Sequence, residues 1–367
     1  MLGDLCLLDV DHIHFYVHDS VKTGQWFMEK MGLQHLSRGE NNHTHTEVVG
    51  NLSSLFLVFS SPLNYQSPVA QYLRSHPPGV VDVAFCVENL DSWSGGSNIE
   101  GVEFVTFPQE VWLNQKSLKF AKIRGWDSLH HTLIENKTDS PFCFFLPQLN
   151  FTKNITLNST CDQNTEITGI DHLVLNVASG ELTKALEFYQ KIFGFELQQT
   201  FTIETSYSGL YSKALISQNS QVQFNINEPT SSTSQIQEFL EANNGAGIQH
   251  FALTSTNIIK TVRQMRHQGL SFLPIPSTYY RKLRQRGING LIPSLTAEEW
   301  SAIATEQILV DCNSNQPESL LMQTFTKPMF TDKTFFVEII ERRNKAMGFG
   351  QGNFQELFEA VERDSIN

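Results

Sequence analysis

The sequence contains an internal repeat, and this repeat constrains the fold more than any other feature of the chain. Residues 11–17 are DHIHFYV and residues 171–177 are DHLVLNV, and each segment precedes an amphipathic pattern that ends at a glycine, Gly32 or Gly194. Alternating apolar residues predict a strand, and an apolar period of about 3.6 residues predicts a helix. Each half therefore begins with a strand and a helix, which indicates a duplicated domain.

The repeat continues beyond this first strand and helix. Residues 79–85 match 247–253, and residues 133–135 match 336–338, so a second strand and a last strand also recur. In the second half, a further amphipathic helix is predicted over 258–268. We predict an α+β fold of two tandem domains, each of two βαβββ modules that form an open, curved, barrel-like mixed sheet with outer helices. In such a cup, alternate side chains of each strand point inward.

The composition of the middle of the chain sets the predicted domain limits. Residues 149–168 are rich in Asn, Thr and Ser and show little periodicity, which is typical of a linker. We therefore predict an N-terminal domain over 1–148 and a C-terminal, catalytic domain over 169–367.

The charge and the cysteine pattern exclude several classes of protein. The chain has 367 residues, 40% of them apolar, and a net charge of −12 without a long Lys/Arg run, so we expect no nucleic-acid partner. The absence of a basic N-terminal region and of an 18-residue apolar segment predicts a cytoplasmic protein with no membrane partner. The five cysteines are scattered and never form a CxxC pair, so neither a disulfide framework nor a zinc site is indicated.

A carboxylate stands in the predicted last strand of the second half. Glu338 lies in an apolar run of β-branched and aromatic residues, where a carboxylate is costly unless a cation or hydrogen-bond donors compensate it. A salt bridge with Arg342 or Arg343 at the strand end is one explanation. The other is a metal ion, because His172 and His250 lie on the first and second strands of the same half and all three side chains can face one cup.

Two imidazoles and one carboxylate on separate strands form a facial triad suited to non-haem Fe(II), since three fixed ligands leave adjacent positions for a bidentate substrate and O2. A lone histidine in a strand is more often a satisfied core residue, so the prediction depends on the combination. By this alignment the matching residues of the first half are His12, Asp82 and Glu135. A carboxylate in place of one imidazole suits Fe(II) poorly, so we predict a vestigial copy without catalytic metal, while a weak divalent-cation site stays open.

The two halves differ in length between these ligand positions. From Asp82 to Glu135 is 53 positions, whereas from His250 to Glu338 is 88, so the second half carries 35 extra residues. We expect this insertion over about 279–315. It could cover the cup or form an excursion on its rim, and long insertions in compact domains are usually functional.

Neutral polar and aromatic residues surround the predicted ligands along the sequence. We predict that amides and a hydroxyl orient a substrate, namely Ser212, Asn227, Gln235, Gln249 and Gln323. We predict that aromatic residues form a slot for an aryl ring, namely Phe325, Phe336, Phe349 and Phe354. Without a guanidinium in this set, a substrate carboxylate would be held by the metal. The simpler alternatives are the apolar core for each phenylalanine and a surface or turn position for each amide.

The last residues of the chain predict a cover for the site. Residues 348–352 contain three glycines, and Asn353 can cap a helix together with Glu356 three residues later. The apolar stripe of that helix would be Phe354, Leu357, Phe358 and Val361. We predict a C-terminal helix that closes over the site on the glycine hinge, with Phe349, Asn353 and Phe354 at the substrate pocket.

Several short segments of the sequence match one family. They are GIDH at 169–172, SGLYS at 208–212, NINEP at 225–229, SQIQ at 234–237, GAGIQH at 245–250, QTFTKP at 323–328, FVE at 336–338 and GFGQGNF at 348–354. In these segments, and over nearly its whole length, the chain resembles the 4-hydroxyphenylpyruvate dioxygenases of the vicinal-oxygen-chelate superfamily. It departs from them at Asn225, where many members have proline, and at residues 281–286, which are more basic than expected.

The resemblance implies a function and a ligand set. Family members use O2 and Fe(II), held here by His172, His250 and Glu338, to convert 4-hydroxyphenylpyruvate to homogentisate and CO2 by oxidative decarboxylation, ring hydroxylation and side-chain migration. The 2-oxoacid chelates the iron, the polar residues named above orient the substrate, and the aromatic residues line the ring pocket. The resemblance also implies a homo-oligomer, dimer or tetramer, with a role in tyrosine catabolism or in quinone and tocopherol supply.

Two other functions fit the same scaffold. A 4-hydroxymandelate synthase shares the triad and the substrate but oxidises the benzylic carbon, and the bulky side chains of Phe325 and Phe336 favour the dioxygenase over it. A non-catalytic protein that binds an aromatic ligand is the second alternative, because fold does not determine function.

Overall fold

The structure is a computed structural model that describes residues 7–51, 54–94, 101–113, 116–136, 150–152, 166–204, 208–288, 295–312, 319–332 and 334–353. Each half of the chain forms one mixed β-sheet with helices packed against it. This arrangement confirms the predicted α+β fold of two tandem domains. Among the described residues, no helix is long and apolar enough to span a membrane.

The first half supplies one sheet. Its elements are β1 (Leu7–Tyr16), α1 (Ser20–Met31), β2 (Gln34–Glu40), β3 (Thr44–Gly50), β4 (Phe56–Pro62), α2 (Pro68–Tyr72), β5 (Gly79–Val87), α3 (Asp91–Ser94), β6 (Phe104–Leu113), β7 (Lys116–Arg124), β8 (His130–Asn136) and β9 (Asn150–Thr152). The strand order is β6-β7-β8-β5-β1-β4-β3-β2-β9. Strand β1 runs parallel to β4 and antiparallel to β5, and β5 runs parallel to β8.

The second half repeats this layout. Its elements are β10 (Ile167–Asn176), α4 (Leu182–Phe193), β11 (Glu196–Glu204), β12 (Gly209–Ile216), β13 (Gln223–Pro229), α5 (Gln235–Asn243), β14 (Gly247–Ser255), α6 (Ile258–His267), α7 (Ser277–Ile288), α8 (Ala297–Thr305), β15 (Leu309–Asp311), β16 (Leu320–Phe325), β17 (Phe336–Arg343) and a 3₁₀ turn (Gln351–Asn353). The order is β11-β12-β13-β10-β14-β17-β16-β15. Strands β10, β13, β14 and β17 pair in the same directions as β1, β4, β5 and β8.

The first helix of each half ends by the same local signal. Both α1 and α4 are followed by a glycine in the left-handed conformation, Gly32 at φ 70° and Gly194 at φ 67°. A residue with a Cβ is strained at such a φ, which explains why the helix stops at a glycine in both copies. At the other end of α1, the Asp19 side chain accepts a hydrogen bond from Lys22 N at 3.0 Å, which is a typical N-cap.

The two halves pack against each other through a shared apolar core. Phe15 of β1 contacts Phe251 of β14 and Phe335 at ring-centroid distances of 6.3 and 5.1 Å. Elsewhere, Phe193 of α4 contacts Phe85 of β5 and the Trp93 indole at 5.4 Å each. These rings remove large apolar areas from water, so each half contributes to the stability of the other.

Regular structure occurs at both ends of the predicted linker, 149–168. Strand β9 pairs with β2 of the first sheet, and β10 begins at Ile167. The domain limits 1–148 and 169–367 stay predictions.

The predicted insertion, 279–315, contains most of α7, together with α8 and β15. Strand β15 pairs with β16 and extends the second sheet. The Tyr279 hydroxyl accepts from Val310 N at 2.7 Å and lies 2.9 Å from Asn353 Oδ1, to which it can donate. The insertion therefore anchors the segment that follows β17. The predicted C-terminal helix, with Phe354, Glu356, Leu357, Phe358 and Val361, lies outside the described residues.

Candidate metal centre and substrate cavity

Three neighbouring strands bring the predicted ligands together. His172 on β10 lies opposite Ala252 on β14, and Ala252 lies opposite Glu338 on β17. His250 is two residues before Ala252, and residues two apart on a strand share a face. One nitrogen or oxygen of each of the three side chains lies within 4.8 Å of the others. His172 Nε2 is 3.2 Å and His250 Nε2 is 3.8 Å from Glu338 Oε2.

The triad is buried and electrostatically strained without a cation. Burial raises the pKa of the Glu338 carboxyl, and burial together with the nearby His172 lowers the pKa of His250 well below its usual range. Against the effect of burial, the Glu338 and Asp171 carboxylates raise the pKa of His172 to about 9. Among the described residues, Glu338 Oε1 and His250 Nδ1 have no hydrogen-bond partner. A divalent cation would compensate this carboxylate, so the residues fit a metal.

The donor set indicates the kind of metal. Two imidazoles and a carboxylate on one face match the ligands of non-haem Fe(II) sites, which keep open positions for other groups. Among the described residues, no fourth His, Cys, Asp or Glu side chain joins these three at the candidate metal site.

The salt-bridge alternative for Glu338 is wrong. Arg342 Nε binds Asp171 Oδ2 at 2.7 Å, and Arg343 binds Glu341 at 2.7 Å and Glu299 at 2.6 Å. Neither guanidinium bonds to Glu338.

The strand register of the first half corrects the proposed equivalence of Glu135. Asp82 lies opposite His130 just as His250 lies opposite Phe336, so the counterpart of Glu338 is Thr132, two residues after His130. The alignment of Glu135 with Glu338 is therefore wrong by three residues.

Glu135 matches Glu341 instead. Each accepts a hydrogen bond from a backbone N–H just after a strand, β5 in the first half and β14 in the second: Leu90 N to Glu135 at 2.9 Å, and Ile258 N to Glu341 at 2.7 Å. This role is structural, because the carboxylate satisfies an N–H group that would otherwise be buried unpaired.

A lysine occupies the cup of the first half. Lys122 lies opposite Thr132, as Phe325 lies opposite Glu338, and its Nζ is 2.8 Å from Asp82 Oδ2. Thr132 N and Oγ1 donate to Asp82 at 2.9 and 2.7 Å. Although burial favours the neutral acid, Lys122 and Thr132 hold the pKa of Asp82 well below its usual range. The Asp82 charge is thus compensated within the protein.

A cavity of about 80 Å³ opens beside the triad of the second half. Its predicted members are Ser212, Asn227, Gln235, Gln249, Phe325, Phe336 and Phe349. The other lining residues, which were not predicted, are Val174, Phe201, Ile203, Leu210, Asn225 and Ile236. Val174, Leu210 and Asn225 each lie two residues along a strand from a predicted ligand or pocket residue, so the period of two could have identified them. Phe201 and Ile203 lie on β11, where no site residue was predicted.

Two predicted site residues among the described ones, Gln323 and Asn353, do not line this cavity. Gln323 is fully buried beneath Gly350, and neither atom of its amide group has a hydrogen-bond partner among the described residues. Asn353 is also fully buried and bonds to the Tyr279 hydroxyl. Phe354 lies outside the described residues.

Aromatic rings pack directly on the two histidines. Phe336 stacks on His250 at 4.5 Å with an interplanar angle of 18°, and Phe349 meets His172 edge-on at 5.3 Å. Phe325 meets Phe336 edge-on at 6.2 Å. The histidine rings are thereby held in place, which pre-organises the site.

This chain is similar in sequence to proteins of one known family. The family described as the Glyoxalase/Bleomycin resistance protein/Dioxygenase superfamily matches residues 169–287. The 4-hydroxyphenylpyruvate dioxygenase of Yarrowia lipolytica is 34% identical over 96% of this chain and 91% of its own length. This chain belongs to the 4-hydroxyphenylpyruvate dioxygenase family. It is accordingly an enzyme, a non-haem iron dioxygenase.

Two further proteins are similar to this chain over nearly its whole length. An uncharacterized protein of Synechocystis is 36% identical over 97% of both chains. A triple mutant of 4-hydroxymandelate synthase from Streptomyces coelicolor has the same fold, with a TM-score of 0.84 over 98% of this chain and 99% of that one, at 24% identity. The fold thus accommodates enzymes that are named for different products.

Proposed function

We propose that this protein converts 4-hydroxyphenylpyruvate and O2 to homogentisate and CO2, with Fe(II) bound by His172, His250 and Glu338. The observation that carries the proposal is the buried triad beside a cavity walled by aromatic rings and neutral amides. Relatives named for this activity support it.

The residues of the chain prepare the triad for its metal. Bound there, Fe(II) would supply Lewis acidity and the activation of O2. His172 Nδ1 donates to Asp171 Oδ1 at 2.8 Å, so in the neutral imidazole the lone pair lies on Nε2, where it can bind a metal in place of the proton. Burial of all three side chains keeps bulk water from the site and strengthens electrostatic interactions within it.

The cavity suits an aromatic 2-oxoacid in both charge and shape. Its described lining contains no lysine or arginine, so a substrate carboxylate must be compensated at the metal. Ser212 Oγ and Asn225 Oδ1 are buried without a hydrogen-bond partner among the described residues, and they are available to a polar group such as the phenol hydroxyl. Phe325 and Phe336 offer ring faces and edges to the aryl group.

The choice between homogentisate and 4-hydroxymandelate depends on which substrate carbon is held at the reacting position. Phe336 and Phe349 lie against the two histidines, and Phe325 lies against Phe336. We infer that these bulky rings restrict the side chain of the substrate and present its ring carbon, which favours homogentisate.

Product analysis tests the proposal. The purified protein is incubated with 4-hydroxyphenylpyruvate, Fe(II), ascorbate and air, and the products are separated and identified by mass spectrometry. We expect homogentisate and CO2 in equal amounts. The Glu338→Gln variant, which keeps the side-chain size but removes the anionic ligand, measures the background from free iron. Formation of 4-hydroxymandelate, or substrate binding without turnover, would contradict the proposal.

A further inference from the structure

We propose that Arg342 is a positioning residue that holds both the metal ligand His172 and the segment carrying Phe349, and so couples metal binding to the shape of the substrate cavity. This inference rests on the proposed metal site. It concerns a guanidinium that contacts neither the triad nor the cavity but bonds to what supports each of them.

Arg342 supports the metal ligand His172 through Asp171. Arg342 Nε and Nη2 bind the two oxygens of Asp171 at 2.7 Å each, and Asp171 Oδ1 accepts from His172 Nδ1 at 2.8 Å. The Arg342 and Asp171 side chains are 15% and 6% exposed, so the pair is poorly screened by water. A bidentate guanidinium fixes the plane of a carboxylate, and here that plane sets the direction of the imidazole.

Arg342 also holds the segment that follows β17. Arg342 Nη1 donates to Ala346 O at 3.1 Å and to Gly348 O at 2.7 Å. The next residue, Phe349, lines the cavity and meets the His172 ring edge-on at 5.3 Å. The same guanidinium thus fixes both partners of the Phe349–His172 contact.

The duplicated half provides an internal comparison. His12 Nδ1 donates to Asp11 Oδ1 at 2.6 Å, so the pairing of histidine with the preceding aspartate is present in both copies. The second oxygen of Asp11 is bonded by Cys86 Sγ at 3.7 Å, and the strand register places Asn136 at the position of Arg342. The half that has the complete triad therefore has an arginine at this position, whereas the half with an incomplete triad has the neutral residue asparagine.

A lysine cannot replace this guanidinium. Arg342 makes four hydrogen bonds in two directions, and an ammonium on a flexible stem lacks the planar donor geometry that this requires. The Arg342→Lys variant therefore keeps the charge and removes the geometry. Arg343→Lys is the matched control, because the neighbouring guanidinium also forms partly buried ion pairs but, among the described residues, bonds to Glu341 and Glu299 instead.

Metal titration of the full-length, metal-free protein tests the inference, with Co(II) alone as the probe because its absorption reports ligand geometry. We expect Arg342→Lys to bind Co(II) about 10- to 100-fold more weakly with an altered spectrum. We expect Arg343→Lys to keep the affinity and the spectrum. If Arg342 acts through Asp171, the Asp171→Asn/Arg342→Lys double variant binds no more weakly than Asp171→Asn alone.

Hydrogen exchange in the metal-free protein tests the second contact. We expect faster exchange over 344–350 in Arg342→Lys and unchanged exchange there in Asp171→Asn. Normal Co(II) affinity in Arg342→Lys, additive losses in the double variant, or unchanged exchange would each overturn the inference. None of these readouts requires turnover, so a failure to form homogentisate would count against the proposed function alone.

Discussion

The anionic member of the triad, Glu338, is the residue on which metal binding depends most. We expect Glu338→Gln to abolish turnover and to weaken Fe(II) binding by more than the roughly 100-fold that a lost supporting hydrogen bond costs. Anaerobic calorimetric titration with Fe(II) measures the affinity.

The control for this variant is Glu135→Gln in the first half. That carboxylate bonds to Leu90 N, so we expect a loss of about 1 kcal/mol in the free energy of unfolding and unchanged Fe(II) binding. Loss of iron from this variant would contradict the assignment of the site to the second half.

Lys122 and Asp82 form the ion pair that occupies the cup of the first half. We expect Lys122→Met to lower the free energy of unfolding by about 3 kcal/mol, because it leaves a buried carboxylate without its cation. Removing that carboxylate as well, in Lys122→Met/Asp82→Asn, should restore most of the loss. Urea unfolding followed by circular dichroism measures both variants, and a double variant no more stable than the single one would refute this account.

The same pair predicts a dependence of stability on pH. The pKa of Asp82 is lower in the folded protein than in the unfolded chain, where it is near 4. The pair therefore stabilises the protein above about pH 4 and loses that contribution as the pH falls toward the folded-state pKa. We expect the loss of stability between about pH 4 and pH 3 to be smaller in Lys122→Met, as measured by urea unfolding across this range.

For individual residues, the repeat was sufficient to find the triad but not to align every residue of the first half. His172, His250 and Glu338 were predictable because two histidines and a carboxylate in an apolar run lie on strands that the repeat identifies. The equivalence of Glu135 failed because similar apolar segments can be matched three residues out of register. Only the hydrogen-bonded pairing of β5 with β8 shows that Thr132 faces the cup.

Among the elements, the turn after β17 carries Phe349, which lines the cavity. Gly348 and Gly350 flank Phe349 and have φ of 88° and 74°. Among the described residues, a Cβ at Gly348 would meet no atom within 4 Å, whereas one at Gly350 would overlap the Gln323 amide. The two positions therefore differ in the room they leave for a side chain, but alanine would be strained at both because both have a positive φ.

This difference predicts unequal effects of alanine at the two positions. We expect Gly348→Ala to cost about 1 kcal/mol of stability through strain alone, and Gly350→Ala to cost more and to raise the KM for substrate by displacing Phe349. The additional cost should fall in Gly350→Ala/Gln323→Ala, where the overlapping amide is removed. Thermal unfolding and steady-state kinetics measure these effects, and equal costs at both glycines would contradict the steric explanation.

Elements with strong local signals were predictable, and elements that depend on distant partners were not. The C-terminal ends of α1 and α4 followed from apolar periodicity and a terminal glycine. Strand β9 lies in a segment without periodicity and exists through pairing with β2. The insertion likewise contains most of α7, together with α8 and β15. The place of β15 in the sheet depends on its pairing with β16 and on the Tyr279 hydroxyl.

For the whole molecule, the sequence indicated two similar domains but not how they associate. Apolar periodicity identifies the faces of strands and helices that are buried, without identifying which surface covers them. Phe15 and Phe335 are both fully buried, and they contact each other across the two halves at 5.1 Å. A core that joins the halves makes their unfolding interdependent.

We therefore expect the two halves to unfold in one calorimetric transition that shifts as a whole when metal binds. A metal at 100 times its dissociation constant adds about 2.7 kcal/mol to the stability of the state that binds it. Phe15→Ala, in the half without the triad, should lower that single transition, since truncating a buried phenylalanine costs about 3–5 kcal/mol. Phe107→Ala, at a side chain 71% exposed on β6, should leave it unchanged. Two separate transitions, of which metal shifts only one, would show that the halves unfold independently and that the shared core contributes little to their coupling.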